Sequence, residues 1–356
     1  MLNCGYCYSQ ANTELRIGSL IETGLDSSKI SEMEGLILDS TYQNMHSVLI
    51  IKDQKLVYEK YFQGYKYDYM AEGFKGELIQ FDKGTTHNTA SVTKSVTSLL
   101  VGLAIDKGFI EDTNSKIFSF FPSYSKLKDT TKERITIGNL LTMSSGLKWN
   151  EQDVFYNEEE NDIIQLFITD DPVKFILSKP AINEPGTNWY YNGGGSNLLG
   201  EIIHQSSQLK LDEFGEKYLF EPLGIVEYEW QPINPDLVYA SGGLKLKPRD
   251  MAKIGQLALD EGKWNGEQLI SSKWISEMTE HKFVFSNTWG YACHWWVRSY
   301  ESGDENIISI YADGWGGQRI MVFPTIDMVV VFTGGNYVEP HKLDEIVSKY
   351  ILPSLH

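Results

Sequence analysis

The stretch TASVTKSVTSLL, residues 89–100, places a serine and a lysine three positions apart at the beginning of an apolar helical pattern. Residues three apart share one face of a helix, so Ser91 and Lys94 can meet there. The apolar residues that would bury this helix are Val92, Val96, Leu99, Leu100 and Leu103. Gly108 predicts where the helix ends. The stretch therefore predicts a buried helix that begins near Ser91 and draws Lys94 into the protein.

This placement indicates a nucleophile that has its own base. A serine hydroxyl is a poor nucleophile unless a neighbouring base takes its proton. Burial and the positive end of the helix dipole would both disfavour the ammonium form of Lys94 and lower the pKa of its amine. The backbone N–H of Ser91, which has no intrahelical partner in the first turn, could donate to a developing oxyanion. The alternative is an ordinary helix start from which Lys94 reaches solvent.

The pattern S-x-x-K does not decide between these interpretations by itself. It recurs at residues 125–128 and 207–210, as expected in a long chain that is rich in lysine. Only the copy at 91–94 begins an apolar helix. Other segments of the chain must therefore support the chemistry.

The composition is typical of a globular enzyme. The 356 residues are 42% hydrophobic and 22% charged. The net charge of -17 makes nucleic acid and anionic membrane surfaces poor partners, and no apolar stretch is long enough to span a bilayer. The three cysteines, Cys4, Cys7 and Cys293, indicate neither a disulfide framework nor a zinc site.

The first residues leave the cellular compartment open. The segment MLNCGYCYSQ lacks the basic and apolar regions of a signal peptide. Cys4, after Leu2 and Asn3, weakly resembles a lipoprotein cleavage box. Both a cytoplasmic location and an extracytoplasmic one, with a trimmed export signal, are consistent with this segment.

Strand patterns lie at both ends of the chain. SVLIIKDQKLVYEKYF (47–62) predicts two strands around a turn at Asp53-Gln54, and RIMVFPTIDMVVVFTGGN (319–336) predicts a hairpin that turns at 324–327. Residues 110–280 carry mostly helical patterns between polar loops, of which 149–162 mixes acids with aromatic residues. The tail LDEIVSKYIL has one apolar helical face.

This order predicts an α/β (α+β) fold with one catalytic domain of two lobes. An antiparallel sheet flanked by helices is built from about 20–88 and 240–356. An all-helical lobe, about 89–239, is inserted between these two parts, and the site is expected between the lobes.

Four further segments follow the S-x-x-K helix in a characteristic order and spacing. They are ITIGNLLTMSSGL (135–147), PGTNWYYNGGGSNLLGEII (185–203), ASGGLKLKPRDMAKIGQL (240–257) and ADGWGGQRIMVFP (312–324). In them the chain resembles the serine β-lactamase-like hydrolases: class C β-lactamases, D-alanyl-D-alanine carboxypeptidases, lactamase-type esterases and nylon-oligomer hydrolases. The resemblance extends from about residue 45 to 350. It implies a β-lactamase/transpeptidase-like fold and a serine that forms an acyl-enzyme.

The family's second motif is Y-x-N, whose tyrosine lies beside the nucleophile and relays protons. Residues 190–192 match its letters, with Tyr190 as the tyrosine. The spacing from 185–187 forward and from 198–200 back instead assigns the motif to Tyr191 and places Gly193 at the asparagine position. We follow the spacing. The resemblance then implies that Tyr191 relays protons, whereas Tyr190 has a packing role.

The third motif, K-T-G or H-T-G, corresponds to Ala312-Asp313-Gly314. The resemblance implies that Gly314 permits close approach of the substrate and that the N–H of Trp315 is the second oxyanion donor. Ala312 replaces the family's basic residue, and Asp313 adds an acid beside it. We expect these two changes to disfavour substrates that carry a carboxylate, because Asp313 would repel them.

The resemblance implies a serine hydrolase in which Ser91 attacks, Lys94 and Tyr191 move protons, and Asp313, Gly314 and Trp315 contact the substrate. A carboxylesterase or amidase for small neutral or cationic acyl substrates is the first interpretation. A D-amino-acid peptidase or β-lactamase is the second, and a non-catalytic sensor of peptidoglycan-like ligands is the third. A small-molecule acyl substrate is the expected partner; no metal or cofactor is expected, and the oligomeric state stays open.

Overall fold

The structure is a computed structural model that describes residues 13–156, 158–302 and 305–355. The described residues do not include the first segment of the chain, with Cys4 and Cys7, from which we considered the cellular compartment. Cys293, the third cysteine, is buried as a free thiol.

The helices are α1 (Ser27–Leu38), α2 (Val92–Asp106), α3 (Ile137–Leu141), α4 (Asp162–Ile168), α5 (Pro172–Ser178), α6 (Gly193–Ser207), α7 (Leu211–Gly215), α8 (Glu221–Leu223), α9 (Pro248–Leu259), α10 (Ser272–Thr279) and α11 (Leu343–Ile346). A π-helical turn, Val347–Ile351, continues α11, as the apolar face of the tail predicts. None of the helices in the described ranges is both long enough and apolar enough to cross a membrane.

The strands are β1 (Met45–Lys52), β2 (Lys55–Tyr61), β3 (Gln63–Tyr67), β4 (Lys75–Gln80), β5 (His87–Asn88), β6 (Glu229–Trp230), β7 (Pro232–Asn234), β8 (Leu237–Val238), β9 (Leu244–Leu246), β10 (Lys263–Trp264), β11 (Glu267–Gln268), β12 (Phe283–Ser286), β13 (Trp289–Tyr291), β14 (Trp296–Ser302), β15 (Glu305–Gly314), β16 (Gln318–Phe323) and β17 (Met328–Gly334). The main sheet has the order β12-β13-β14-β15-β16-β17-β1-β2, and its neighbouring strands are antiparallel.

The two ends of the chain meet inside this sheet. β1 pairs with β17, so that Val48 lies opposite Phe332 and Leu49 lies opposite Val331. The hairpins predicted at 47–62 and 319–336 are both present, with the second turning through Pro324–Ile326. The predicted fold class, a large antiparallel sheet combined with helices, is therefore confirmed.

Both faces of the sheet are covered, because alternate side chains of a strand point to opposite sides. Leu49 and Val331 face the larger apolar core, which also contains residues of α2, α6 and α9. Val48 and Phe332 face a second core, which α1 and α11 cover. The larger core extends without interruption from the sheet into the helical middle of the chain, so the sheet and these helices are packed against each other.

Helix α2 lies at the centre of this larger core. Every residue from Val92 to Ala104 is buried, and Gly108 follows the helix with a positive φ of 75°. The helix contacts β15 and β16 on one side and α6 on another. The helix predicted from Ser91 to Gly108 is confirmed, and its first turn is held where the sheet and the helical middle meet.

Two helical glycines give a matched test of this packing. A β-carbon on Gly102 of α2 would overlap the buried Trp274 indole, whereas one on Gly35 of α1 meets nothing within 4 Å. Gly35→Ala should raise the free energy of unfolding by up to about 1 kcal/mol, through helix propensity. Gly102→Ala should lower it by about 1–3 kcal/mol, because overpacking outweighs propensity. Urea unfolding measures both changes; an equal gain in both variants would contradict the central packing of α2.

Candidate active site

Ser91 occupies the N-cap position of α2 and follows a strained residue. The preceding residue, Ala90, has a positive φ of 47°, which costs a non-glycine residue about 1–3 kcal/mol. Two hydrogen bonds hold this conformation: the Ala90 N–H donates to Asn88 Oδ1 at 3.0 Å, and Thr93 Oγ1 donates to the Ala90 carbonyl at 2.6 Å. The Ser91 hydroxyl is thus fixed at the floor of a cleft.

Lys94 reaches Ser91 from one turn further along α2. Its Nζ donates to Ser91 Oγ at 3.1 Å and to the Ser241 carbonyl at 2.7 Å. Only 2% of the residue is exposed. The Glu151 carboxylate lies 3.8 Å from Lys94 Nζ. The sequence gave no sign of this carboxylate.

Tyr191 is the tyrosine that the structure places against Ser91. Its hydroxyl donates to Ser91 Oγ at 2.8 Å, and its ring centroid lies 4.7 Å from Lys94 Nζ. Burial, and then the charge of Glu151, raise the pKa of Tyr191 well above its ordinary value, so the phenol keeps its proton at neutral pH. Tyr190 is 39% exposed and bonds instead to Asp153. This placement agrees with the spacing rather than with the literal Y-x-N match.

Glu151 is the polar group that sequence reasoning missed. It is buried, and its carboxylate accepts hydrogen bonds from the Gly193 N–H at 2.7 Å, Trp149 Nε1 at 2.8 Å and the Tyr156 hydroxyl at 3.0 Å. Three donors and a nearby lysine satisfy a buried carboxylate well. Glu151 thus connects the loop 149–162 to α2 and α6.

The glycine at position 193 makes room for this carboxylate. A β-carbon on Gly193 would lie 2.7 Å from Glu151 Oε2. At the position where the resemblance expects asparagine, this chain therefore has space that a glutamate from another segment fills. The missing asparagine was the available signal, because a buried lysine still needs a polar neighbour. The sequence could not show which of the acids in 149–162 would supply it.

The end of β15 forms the opposite edge of the cleft. A β-carbon on Gly314 would overlap the Thr89 carbonyl oxygen and lie 3.3 Å from the Ser91 nitrogen. Only glycine allows this approach. Within the described residues, the N–H groups of Ser91 and Trp315 donate to no protein acceptor. Both are therefore available to an oxygen atom in the cleft.

Asp313 and Ala312 do not present the charge pattern that was expected. Asp313 lines the cleft, but its carboxylate accepts from Nε of the buried Arg319 at 2.6 Å, and Arg319 also bonds Asp344. Arg319 therefore offsets the charge of Asp313 and weakens the repulsion of substrate carboxylates that was expected from it. The Ala312 side chain is fully buried in the larger core rather than facing the cleft.

Two cavities open on Ser91 and differ in character. The larger, about 580 Å³, is lined by Tyr191, Trp296, Asp153 and Asp313 among others. The smaller, about 420 Å³, is lined mainly by apolar and aromatic side chains from α4 and neighbouring segments. The rings of Tyr156 and Trp315, whose centroids are 5.3 Å apart, line both cavities. In the cleft, as in the rest of the described ranges, no three His, Cys, Asp or Glu side chains converge to hold a metal ion.

Residues 43–345 match the sequence model of the Beta-lactamase family. The chain belongs to this family. It is 27% identical over 195 residues to the lovastatin esterase of Penicillium rubens, a match that covers 49% of this chain and 46% of that protein. It is 23% identical over 281 residues to the 6-aminohexanoate-dimer hydrolase of Paenarthrobacter ureafaciens, covering 74% of this chain and 68% of that protein. The matches thus span about half to two thirds of these relatives.

A solved structure supports the same fold. The octameric penicillin-binding protein homologue from Pyrococcus abyssi superimposes with a TM-score of 0.68 at 22% identity, covering 92% of this chain and 77% of that one. The predicted resemblance and fold are confirmed. The predicted class of enzyme, a β-lactamase-related hydrolase, is confirmed at the level of the family.

The adjacent tyrosines provide a test of the site. Tyr191→Phe should lower the turnover of an ester substrate about 100-fold or more, the scale on which a group that transfers protons contributes. Tyr190→Phe should change it by less than about threefold, since the Tyr190 hydroxyl donates to Asp153 rather than to Ser91. Steady-state kinetics on both variants measure the difference. A larger loss in Tyr190→Phe would show that the literal register is correct.

Proposed function

We propose that the protein is a serine hydrolase that forms an acyl-enzyme on Ser91, as a carboxylesterase or amidase for small neutral or cationic acyl substrates. One observation carries the proposal: the Tyr191 hydroxyl and Lys94 Nζ both converge on Ser91 Oγ, at 2.8 and 3.1 Å. Neither contact is needed to stabilise an ordinary helix start. Together they provide a route by which the serine proton can leave.

The first half of the reaction forms the acyl-enzyme. Ser91 Oγ attacks the acyl carbonyl while Lys94 Nζ accepts the serine proton. The N–H groups of Ser91 and Trp315 hold the negative oxygen of the tetrahedral intermediate. Tyr191, which carries its proton at neutral pH, donates it to the leaving group and recovers one from Lys94. The bond from the carbonyl carbon to the leaving group then breaks.

The second half of the reaction regenerates the enzyme. A water molecule takes the place of the leaving group and gives its proton to the Tyr191–Lys94 pair as it attacks the acyl carbonyl. The bond between the carbonyl carbon and Ser91 Oγ breaks, and the serine recovers its proton. The atoms and protons of acylation and deacylation therefore balance with groups of the chain and one water molecule.

Glu151 acts in this proposal as a positioning residue. It fixes Tyr156 and the start of α6, and it sets the charge that surrounds Lys94. Glu151, Lys94 and Gly193 are buried, whereas Tyr156 is partly buried and lines both cavities.

The choice of substrate rests on the charges of the cleft. Asp153 and Asp313 both line the larger cavity, where the Tyr190 hydroxyl donates to the Asp153 carboxylate. Arg319, on the neighbouring strand β16, is already paired with Asp313 and Asp344. Among the described residues that line the two cavities there is no lysine or arginine, which favours neutral or cationic substrates over penicillins and D-peptides. One relative is named an esterase, which supports ester cleavage.

The nucleophile can be tested directly with an activated-serine probe. A fluorophosphonate should label the wild-type protein, and Ser91→Ala should abolish both labelling and turnover of p-nitrophenyl acetate. Ser125→Ala and Ser207→Ala, the serines of the other two S-x-x-K sequences, are matched controls and should change neither. Intact-mass measurement with a slow ester should show an acyl adduct on the wild-type protein alone.

Two results would contradict the proposal. Labelling that persists in Ser91→Ala would show that the nucleophile lies elsewhere. A folded protein that is never labelled would favour the sensor interpretation. A wild-type protein with a higher kcat/KM for a penicillin than for p-nitrophenyl acetate would instead favour the β-lactamase interpretation.

Glu151 can be tested beside a neighbouring acid of the same loop. Glu151→Gln should lower kcat/KM about 10-fold or more, because the amide cannot accept from all three donors and removes the charge beside Lys94. Glu159→Gln, at an exposed acid of the same loop that lines neither cavity, should leave turnover within about threefold of wild type. Kinetics and urea unfolding are measured together, so that a loss of stability is distinguished from a loss of turnover. Wild-type kcat/KM in a folded Glu151→Gln protein would exclude the positioning role.

A further inference from the structure

We infer that the smaller cavity binds the acyl chain of the substrate and that medium-length aliphatic acyl esters are the substrate class of this site. The inference rests on the proposed function and names the substrate that the function leaves open. It is carried by the position of the cavity relative to Tyr191 and by the side chains that line it.

The cavity presents apolar surface directly beside the nucleophile. Ile164, Phe167 and Ile168 of α4 line one side, and Tyr239 and Tyr67 line others. At its mouth, Ile168 is 65% exposed. Apolar side chains left open beside a reactive serine indicate a binding surface for an apolar group, because burying them is favourable only when a ligand enters.

The walls of the cavity are held in place before any ligand binds. The Trp315 indole N–H donates to the Tyr337 carbonyl at 2.8 Å, and the Tyr156 hydroxyl donates to Glu151. The Phe167 ring packs edge-on against Tyr239 at 5.1 Å between centroids. A preformed apolar cavity loses little conformational freedom on binding. Little of the free energy gained by burying an acyl chain is therefore lost to ordering the cavity walls.

The direction of the substrate follows from the proton donor. Tyr191 lines the larger cavity and is absent from the described lining of the smaller one. The leaving oxygen must lie next to the group that protonates it, so the leaving group occupies the larger cavity. The acyl chain, on the other side of the carbonyl carbon, then enters the smaller cavity. As Ser91 Oγ bonds to that carbon, the bond to the leaving oxygen breaks and this oxygen takes the Tyr191 proton.

The size of the cavity limits the chain. A cavity of about 420 Å³ is at the lower end of those that hold small molecules, so it suits a chain of several carbons rather than a long lipid. Each buried methylene should raise kcat/KM about two- to fourfold, because burial of one CH₂ is worth at most about 0.8 kcal/mol. The increase should stop once the cavity is full.

The experiment is a chain-length series of p-nitrophenyl esters, from acetate to dodecanoate, with the leaving group kept constant. For the wild-type protein, kcat/KM should rise from acetate to about the hexanoate or octanoate and then level or fall. Ile164→Trp, which fills the cavity, should shorten the best chain by two carbons or more. Phe167→Ala, which enlarges it, should lengthen the best chain.

The matched control is Val226→Trp, which adds the same ring at an apolar residue that is 82% exposed and outside the cavity. It should leave both the chain-length profile and the fluorophosphonate labelling of Ser91 unchanged. A wild-type kcat/KM that is flat or falls from acetate to octanoate would overturn the acyl cavity while leaving the serine hydrolase intact. The same holds if neither Ile164→Trp nor Phe167→Ala shifts the profile. Absence of all turnover and labelling would overturn the proposed function itself.

Discussion

The arrangement on which the rest of the site depends is the burial of a lysine amine inside an apolar core. An ionisable group in such a place needs polar neighbours, because desolvation without them is costly. Lys94 obtains them from Ser91 on its own helix, the Ser241 carbonyl and the Glu151 carboxylate. Ser241 and Glu151 come from parts of the chain that are distant from α2. Satisfying the lysine therefore holds these two segments against the start of α2.

Two glycines, Gly193 and Gly314, are as important to this geometry as the polar groups, because they leave space for neighbouring segments. Gly314 lets the end of β15 approach Thr89 and Ser91, and Gly193 leaves space for Glu151 beside α6. Any larger residue at either position would push apart two segments that the site needs together. The cleft is consequently narrow at the nucleophile, and it widens into one cavity with acidic side chains and one with apolar side chains.

Local patterns determined much of the fold. The 3.6-residue period after Ser91, and the β-branched runs at 47–62 and 319–336, depend on neighbours in sequence, and the structure has the helix and hairpins that they predict. Strand patterns at both chain ends predicted one sheet built from both, and the structure joins them by pairing β1 with β17. Flank spacing likewise distinguished Tyr191 from Tyr190, since short motifs keep their internal distances.

Contacts between distant segments were decided only by the tertiary structure. The sequence of 149–162 indicates a polar loop, yet Glu151 is buried because Trp149 and the N–H of Gly193 solvate it there. The sequence shows an acid at Asp313 but not that its cross-strand partner is Arg319, because a pairing across strands depends on register. The sequence thus predicted which groups would carry the chemistry and determined which local elements hold them. Their electrostatic surroundings are interactions between residues far apart in the chain, so only the folded structure could set them.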